Sequence, residues 1–277
     1  MTGINIKTKK KTERASRSSK KMSLLPRKSY LLSLAVTLGL VLFYQFGGSI
    51  WRPIKARLSG EKTVAQVLGE LEPLLARRYQ NLDALTDGAP MSILAFKEEQ
   101  RLELWKQRET GWELVRTFPF TGYSGKLGPK LREGDGQIPE GIYKIEYLNP
   151  HSSYHLSLKV DYPNSFDRKM AAADGREGLG FDIFIHGESA TIGCIPIGND
   201  GIEELFYLVA KNGYRHVSVI ISPVDFRLGG TPPAVDEIDW EAGLYASLIQ
   251  KLQEYPTPKL SIDEHADKVS PPSTRSR

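Results

Sequence analysis

A long uncharged segment close to the N-terminus dominates the organisation of this sequence. Residues 29–51 contain no charged side chain, and their centre, 31–43, consists mainly of leucine and other apolar residues. A helix needs about 20 apolar residues to cross a bilayer, and this run is long enough. Residues 1–28 carry ten Lys or Arg and one acid, Glu13, so the positive-inside rule predicts a cytoplasmic N-terminus.

These features predict a basic cytoplasmic arm at 1–28 and a single-pass signal-anchor at 29–51 in the inner (cytoplasmic) membrane. The rest of the chain is then periplasmic or otherwise extracytoplasmic. A cleaved signal peptide is the alternative, although the basic region is long and no A-x-A-like site follows the apolar run. Residues 29–277 contain 27 basic and 32 acidic residues, and this mildly acidic balance argues against a nucleic-acid partner.

The pattern of apolar residues after the anchor predicts a β-rich α+β domain. Residues 52–61 are a linker, and apolar residues at helical spacing predict an amphipathic helix over 62–78, within a segment that ends at 89. Short runs of large apolar residues predict the strands 91–96, 102–105, 112–118, 142–148, 154–160, 181–186 and 216–221. Because strands dominate the middle and helices flank it, an alternating βαβ fold is excluded.

Two further helices and one long loop complete the predicted domain. Asp200 as N-cap, with Glu203 three residues on, predicts a helix that stops at Asn212-Gly213. A C-terminal helical extension is predicted over 226–255, with its helix at 236–254, and the polar tail 256–277 is predicted to be disordered. The glycine-rich segment 121–141 is typical of a long ordered loop or of a flap over a site.

The single cysteine, Cys194, lies eight residues after His186, which ends a predicted strand. One cysteine can form neither an internal disulfide nor a zinc site with several cysteines. A neighbouring imidazole could take the thiol proton, and the amides of Gly193 and Cys194 are candidate donors to an oxyanion. The structural alternative is a small buried cysteine beside a core histidine.

The residues around this pair resemble the L,D-transpeptidase catalytic-domain family of bacterial cell-wall enzymes. Ile185-His186-Gly187 and Thr191-Ile192-Gly193-Cys194 look like its His-Gly…[Ser/Thr]-x-Gly-Cys signature. Similar blocks at 120–130, 132–135, 139–143, 149–157 and 162–168 extend the resemblance over about 90–225. They look most like a divergent branch that includes an amidase detaching a lipoprotein from peptidoglycan. In the commonest family pattern a histidine stands where this sequence has Ile192, and the His–Cys interval is longer.

The resemblance implies a β-rich L,D-transpeptidase-like catalytic domain that acts on peptidoglycan stem peptides in cell-wall biogenesis and remodelling. It implies Cys194 as the nucleophile of an acyl-enzyme, His186 as the base, and the Gly187 carbonyl as the group that orients His186. With an amine acceptor the enzyme is an L,D-transpeptidase. With water it is a murein hydrolase or an amidase that releases a wall-linked lipoprotein. A catalytically silent wall-binding module is the third alternative.

Four residues are candidates for substrate binding. His155 falls in a resembling block, Thr191 belongs to the signature, and Lys126 and Arg168 could pair with stem-peptide carboxylates. The charged residues could equally be solvated, and His155 could be a strand histidine bonded to backbone. His151 and His155 are four residues apart, but no compact third and fourth metal ligand accompanies them, so we predict no metal. The implied chemistry needs no cofactor.

Overall fold

The computed structural model describes residues 36–37, 62–236 and 238–257, and the chain separates into two units, 1–55 and 56–277. The predicted arm, most of the predicted anchor, the linker and the tail from 258 lie outside the described residues. Within the described ranges, no helix is both long enough and apolar enough to cross a membrane.

One mixed sheet of eight strands forms the centre of the second unit. The strands are β1 (Met91–Phe96), β2 (Arg101–Arg108), β3 (Gly111–Pro119), β4 (Gly141–Ser152), β5 (His155–Val160), β6 (Phe184–His186), β7 (Ile195–Pro196) and β8 (Ser218–Ser222). Their order in the sheet is β3-β2-β1-β8-β4-β5-β6-β7. Neighbouring strands are antiparallel except for the parallel pairs β1–β8 and β6–β7. This large sheet agrees with the predicted α+β class.

Five helices surround the sheet. They are α1 (Val64–Arg78), α2 (Leu82–Leu85), α3 (Ser165–Ala173), α4 (Gly198–Lys211) and α5 (Glu241–Leu252), with single 3₁₀ turns at Tyr214–His216 and Phe226–Leu228. Because α4 follows directly after β7, it lies beside the segment that contains the predicted cysteine nucleophile.

Alternate residues of the central strands face two separate cores. Ile93 of β1 and Val219 of β8 belong to one core, which also contains buried side chains of α1 and α4. Leu94 and Ile220, the next residue of each strand, belong to the other core, against α5. Since successive side chains point to opposite faces of a strand, the centre of the sheet is buried on both faces.

The helix boundaries correct some of the sequence predictions. α4 begins at Gly198 with Ile197 at its N-cap and without a side-chain cap, so the prediction of Asp200 as N-cap is wrong. The C-terminal helix begins at Glu241 rather than at 236, after Trp240 has packed edge-on against Phe166 of α3.

Helix α3 is absent from the sequence predictions. Asn164 accepts hydrogen bonds from the N–H groups of Phe166 and Asp167, and the Asp167 carboxylate accepts from the Asn164 N–H. This capping box begins the helix with an Asn and an Asp, rather than with the commoner Ser or Thr followed by Glu. On α1, Val67, Leu71 and Leu75 are buried as predicted, whereas Leu74 is exposed.

The glycine-rich segment 121–141 is a pinned loop. Lys97, whose side chain is fully buried, donates to the carbonyls of Gly128 (2.8 Å) and Ile138 (3.0 Å) and to Glu140 Oε1 (2.8 Å). Glu140 Oε1 also accepts from the Gly128 N–H at 2.7 Å. One buried ion pair therefore ties the interior of the loop at Gly128 to its C-terminal end, which favours the ordered loop over the flap.

Candidate active site

Two adjacent parallel strands bring the predicted base and nucleophile to one edge of the sheet. His186 is the last residue of β6, and Cys194 directly precedes β7. The register pairs Ile185 with Ile195 and His186 with Pro196. Because paired residues of neighbouring strands point to the same face, His186 shares its face of the sheet with Pro196, two residues after Cys194.

The hydrogen bond of His186 fixes which ring nitrogen can act as a base. His186 Nδ1 lies 2.6 Å from the carbonyl oxygen of Gly187. A carbonyl only accepts, so Nδ1 carries the proton in the neutral ring and Nε2 holds the lone pair. Nε2 is buried and has no hydrogen-bond partner among the described residues, and neither has the hydroxyl of Ser157, the residue paired with His186 on β5. Neither atom is engaged by a partner in the described part of the chain, although both are shielded from solvent.

Tyr154 covers the imidazole of His186. Their ring centroids are 4.6 Å apart and the planes are tilted by 33°. The backbone fixes this contact as well, because the Gly187 N–H lies within hydrogen-bond distance of the carbonyl oxygens of Tyr154 (3.1 Å) and Leu156 (3.3 Å). Tyr154 is partly exposed to solvent, whereas His186 beneath it is almost fully buried.

His155, a predicted substrate-binding residue, contacts a different element. Its Nε2 lies 2.6 Å from Glu203 Oε1 on α4. The backbone of His155 is left-handed, with φ of 72°, and so departs from the regular strand conformation. His155 therefore ties the β4–β5 turn to α4, while its neighbour Tyr154 contacts the site.

Thr191 organises the turn that presents Cys194. Its Oγ1 accepts from the N–H groups of Gly193 (3.2 Å) and Cys194 (2.9 Å) and donates to the Cys194 carbonyl (2.7 Å). The two amides named as oxyanion donors are thus already bound to a hydroxyl. They could serve an oxyanion only by giving up Thr191, whose position indicates a role in shaping the turn.

The pinned loop packs directly against this turn. Gly193 has φ of 128°, and a Cβ at that position would lie 2.9 Å from the carbonyl oxygen of Gln137 in the loop. At Gly122, a Cβ would lie only 2.0 Å from the carbonyl oxygen of Ser189. Side chains at these glycines would push the loop away from the cysteine turn, so their absence keeps the two segments in contact.

Burial moves both reactive groups toward their neutral forms. Loss of hydration lowers the pKa of His186, although the Gly187 carbonyl and the charge of Glu188 oppose this change. Burial raises the pKa of the Cys194 thiol, against the opposing effects of the Phe184 N–H and of the Lys159 charge. At neutral pH the site therefore contains a thiol and a neutral imidazole.

The sequence patterns did not indicate the charged pair that lies beside the thiol. Cys194 Sγ is 3.5 Å from the carbonyl oxygen of Asp182, and the Asp182 carboxylate is 2.9 Å from Lys159 Nζ. Asp182 has a left-handed backbone, with φ of 63°. Lys159 alternates with apolar residues along β5. This alternation is the one sequence signal that could have placed Lys159 on the face of the sheet that it shares with Ser157.

The remaining predicted substrate-binding residues lie apart from this cluster. Lys126 is exposed in the pinned loop, where its N–H donates to Gln137 Oε1 at 2.7 Å. Arg168 is on α3 and donates to the Pro163 carbonyl. Together with Lys144, it lines a cavity of about 640 Å³ whose lining residues include neither Cys194 nor His186. Among the described residues, no group of three or more His, Cys, Asp or Glu is arranged to hold a metal ion.

Two solved structures have a distant likeness to this chain. The helical cell shape determining protein Pgp2 from Campylobacter jejuni is 20% identical, with a TM-score of 0.41, over 53% of this chain and 51% of that chain. Bd1075 from Bdellovibrio bacteriovorus is 18% identical, with a TM-score of 0.38, over 60% of this chain and 54% of that chain.

Sequence comparisons give closer matches. The chain is 36% identical over 144 residues to "Putative L,D-transpeptidase YafK" of Escherichia coli K12, a match that covers 51% of this chain and 56% of that protein. The chain thus spans little more than half the length of the curated relatives it matches. Residues 90–224 match the YkuD family, described as the L,D-transpeptidase catalytic domain. This matched segment includes His186 and Cys194, the two residues at the centre of the candidate site.

Proposed function

We propose that this protein is an L,D-transpeptidase-like enzyme that cuts peptidoglycan stem peptides through an acyl-enzyme on Cys194. The observation that carries the proposal is the state of His186. Its Nδ1 proton is bound to the Gly187 carbonyl, and its buried Nε2 has no partner within the described part of the chain. A core histidine normally satisfies both ring nitrogens, whereas a general base needs a free lone pair close to its substrate.

The first half of the proposed reaction forms a thioester. His186 Nε2 takes the proton of the Cys194 thiol as the sulfur attacks the carbonyl carbon of the third stem-peptide residue. The tetrahedral intermediate then collapses, and the bond between that carbon and the leaving nitrogen breaks. His186 returns the proton to the leaving amine. Because thiol and imidazole are both neutral beforehand, proton transfer accompanies the attack.

The second half of the reaction regenerates the thiol. An acceptor amine loses a proton to His186 and attacks the thioester, which yields a new amide, and the proton then returns to the Cys194 sulfur. In this family-level reading the product is an exchanged or cross-linked stem peptide. A segment that kept water away from the thioester would favour transfer over hydrolysis, and the pinned loop lies against the cysteine turn.

The second candidate is a hydrolase or amidase on the same scaffold, which would release a wall-linked lipoprotein. One observation favours it. Ile192, at the position of a histidine in the commonest family pattern, is 86% exposed, so the side chain next to the Gly-Cys step offers an acceptor amine no polar contact. With no such contact, water becomes the competing acceptor.

Product analysis separates these candidates. The full-length protein is incubated with tetrapeptide muropeptides, with and without an added D-amino acid, and separately with lipoprotein-linked muropeptides. Exchanged or cross-linked products are expected under the transpeptidase proposal. A tripeptide product whose yield is the same with and without the added D-amino acid would support the hydrolase instead. Release of free lipoprotein without formation of a new amide would do the same.

Comparison of the Cys194→Ala variant with the wild type tests the covalent mechanism. Cys194→Ala should abolish turnover while circular dichroism shows an unchanged fold, and mass spectrometry of the wild type should detect the thioester on Cys194. Stem-peptide cleavage by a folded Cys194→Ala protein would exclude this mechanism, and the silent wall-binding module would be the remaining reading if the wild type also failed to turn over.

We also propose that residues 1–28 are cytoplasmic and that the domain after residue 51 is extracytoplasmic. The support is the charge asymmetry around the uncharged run at 29–51. Alkaline phosphatase fused after residue 60 should then be active in cells. An inactive phosphatase fusion together with an active cytoplasmic reporter at the same position would contradict this topology.

A further inference from the structure

We propose that Lys159, held in place by Asp182, is a positioning residue that supplies the positive charge stabilising the thiolate of Cys194. The inference rests on the proposed function only in taking Cys194 as the nucleophile. The two residues act on the sulfur through their charges and need not contact a substrate.

The burial of Lys159 is unusual for an ion pair of this kind. Its side chain is only 7% exposed, whereas that of its partner Asp182 is 59% exposed. Burying an ammonium costs free energy, and a partner that stays largely in water offsets little of that cost. A charge buried at this cost, and bound to the residue whose carbonyl oxygen contacts Cys194 Sγ, indicates an electrostatic role at the site.

One residue, Asp182, contacts both the ammonium of Lys159 and the sulfur of Cys194. Lys159 is paired with Phe184 across β5 and β6, and its Nζ lies 5.0 Å from the centroid of the Phe184 ring. Asp182 connects the two groups, because its carboxylate binds Lys159 Nζ at 2.9 Å while its carbonyl oxygen lies 3.5 Å from Cys194 Sγ. The left-handed backbone of Asp182 lets a single residue contact both of them.

The other groups that act on the thiol set the expected signs. Burial raises the pKa of Cys194, and the negative charge of Asp182 raises it further. Lys159 lowers this pKa, as do Lys130 from the pinned loop and the Phe184 N–H. His186 is neutral at neutral pH, so it contributes no charge before the reaction begins. Lys159 and Asp182 thus change the pKa of the Cys194 thiol in opposite directions. Substitutions of the two residues should therefore have opposite effects on this pKa.

The pH dependence of alkylation measures this effect without any turnover. Cys194 is the single cysteine of the chain, so iodoacetamide labels one site, and the rate of labelling follows the thiolate fraction. The full-length protein is labelled between pH 5 and pH 10, a range chosen to span about three units below the usual cysteine pKa and one above it. Mass spectrometry then gives the rate for each variant.

The charge variants have opposite expected results. Lys159→Met keeps the apolar stem and should raise the pKa of Cys194 by about 0.5 to 1, which slows labelling at pH 7 about three- to tenfold. Lys159→Arg should restore the wild-type rate. Asp182→Asn removes the negative charge but keeps a side-chain oxygen that can accept from Lys159 Nζ, so it should lower the pKa and speed labelling, and asparagine tolerates the left-handed backbone at this position. Lys144→Met, the same change of charge on β4, should leave the rate unaltered.

Two results would overturn the proposal. One is a folded Lys159→Met protein that is labelled at the wild-type rate, or that is slowed no more than Lys144→Met. The other is an Asp182→Asn protein in which the pKa of Cys194 is unchanged or raised, and this variant decides the question if Lys159→Met does not fold. Neither result depends on muropeptide turnover, so failure here is distinct from failure of the proposed function.

Discussion

Tyr154 and His155 are neighbours that serve two different elements, and the difference arises from one backbone angle. In a regular strand, successive side chains point to opposite faces. The left-handed φ of His155 ends that regularity at the start of β5 and directs its ring to Glu203 on α4. Tyr154 is left stacked on His186. The sequence favoured the polar residue His155 as part of the site, but the aromatic ring of Tyr154 occupies the position beside the base, His186.

The ring of Tyr154 should control the acid limb of the pH profile. In Tyr154→Ala, water reaches the imidazole, and the pKa of His186 rises because its charged form is better hydrated. The neutral imidazole is the active form, so the acid limb of kcat/KM should move to higher pH by about 0.5 or more. Stem-peptide cleavage measured across pH tests this, with Tyr154→Phe as the control that keeps the ring. Superimposable profiles for the alanine variant and the wild type would count against the shielding role.

Thr191 should affect catalysis through the shape of the cysteine turn. Thr191→Val keeps the volume but removes the hydroxyl that binds two amides and one carbonyl. The turn then loses its internal hydrogen bonds, and displacement of the sulfur should lower kcat/KM about tenfold or more. Thr191→Ser retains the hydroxyl and should stay close to wild type. If the valine variant turned over as fast as the serine variant, the turn would not need this side chain.

At the scale of elements, a buried ion pair holds the loop that lies against the cysteine turn. Glu140 is bound on one side to Lys97 and on the other to the hydroxyl of Tyr245 on α5, at 2.9 Å. Removing one member of such a pair leaves an uncompensated buried group, which costs more than replacing both members. The loop and the C-terminal helix therefore depend on the same carboxylate.

Glu140→Gln should destabilise the domain by about 3 kcal/mol in urea unfolding. It should also raise hydrogen exchange in the loop around Gly128 and Ile138, whose carbonyls share the Lys97 ammonium. The double variant Lys97→Met/Glu140→Gln removes both charges and should be more stable than Glu140→Gln alone. A double variant no more stable than Glu140→Gln would contradict the idea that Lys97 is left as an uncompensated buried charge in the single variant.

Elements with local signals could be predicted from the sequence, and elements made by distant pairing could not. Strand β1 has the predicted bounds, because a run of apolar residues between turn formers is a local pattern. Strand β7 has two residues and exists only because it pairs with β6, so it leaves no periodic signal. The resemblance located His186 and Cys194 in the sequence, whereas the contacts with Tyr154 and Lys159 arise from how the strands pair.

At the scale of the whole molecule, the C-terminal extension belongs to the same folded body as the family domain. Leu248 of α5 is fully buried in the core that contains Leu94 and Ile220. This core lies on the opposite face of the sheet from the one packed against α1 and α4. A domain that ended at residue 224 would expose this core to solvent. Helix α5 therefore covers one face of the central strands.

Leu248→Ala should therefore cost about 2 to 5 kcal/mol of unfolding free energy, the range typical of leucine truncation in a tight core. The matched control is Leu74→Ala on α1, because Leu74 is 52% exposed and its loss should change stability by less than about 0.5 kcal/mol. Urea denaturation of both variants measures the difference. Equal losses would mean that α5 contributes no more to the fold than a surface residue.

The position of β8 determines when this domain can be completed during protein synthesis. β8 joins β1 to β4, yet Ser92 and its partner Ser218 are 126 residues apart in the chain. Until β8 leaves the ribosome, β1–β3 and β4–β7 are separate pieces with open edges, and such distant pairing closes slowly. The sheet can therefore close only after more than a hundred residues beyond β1 have been synthesised, so the domain reaches its folded state late.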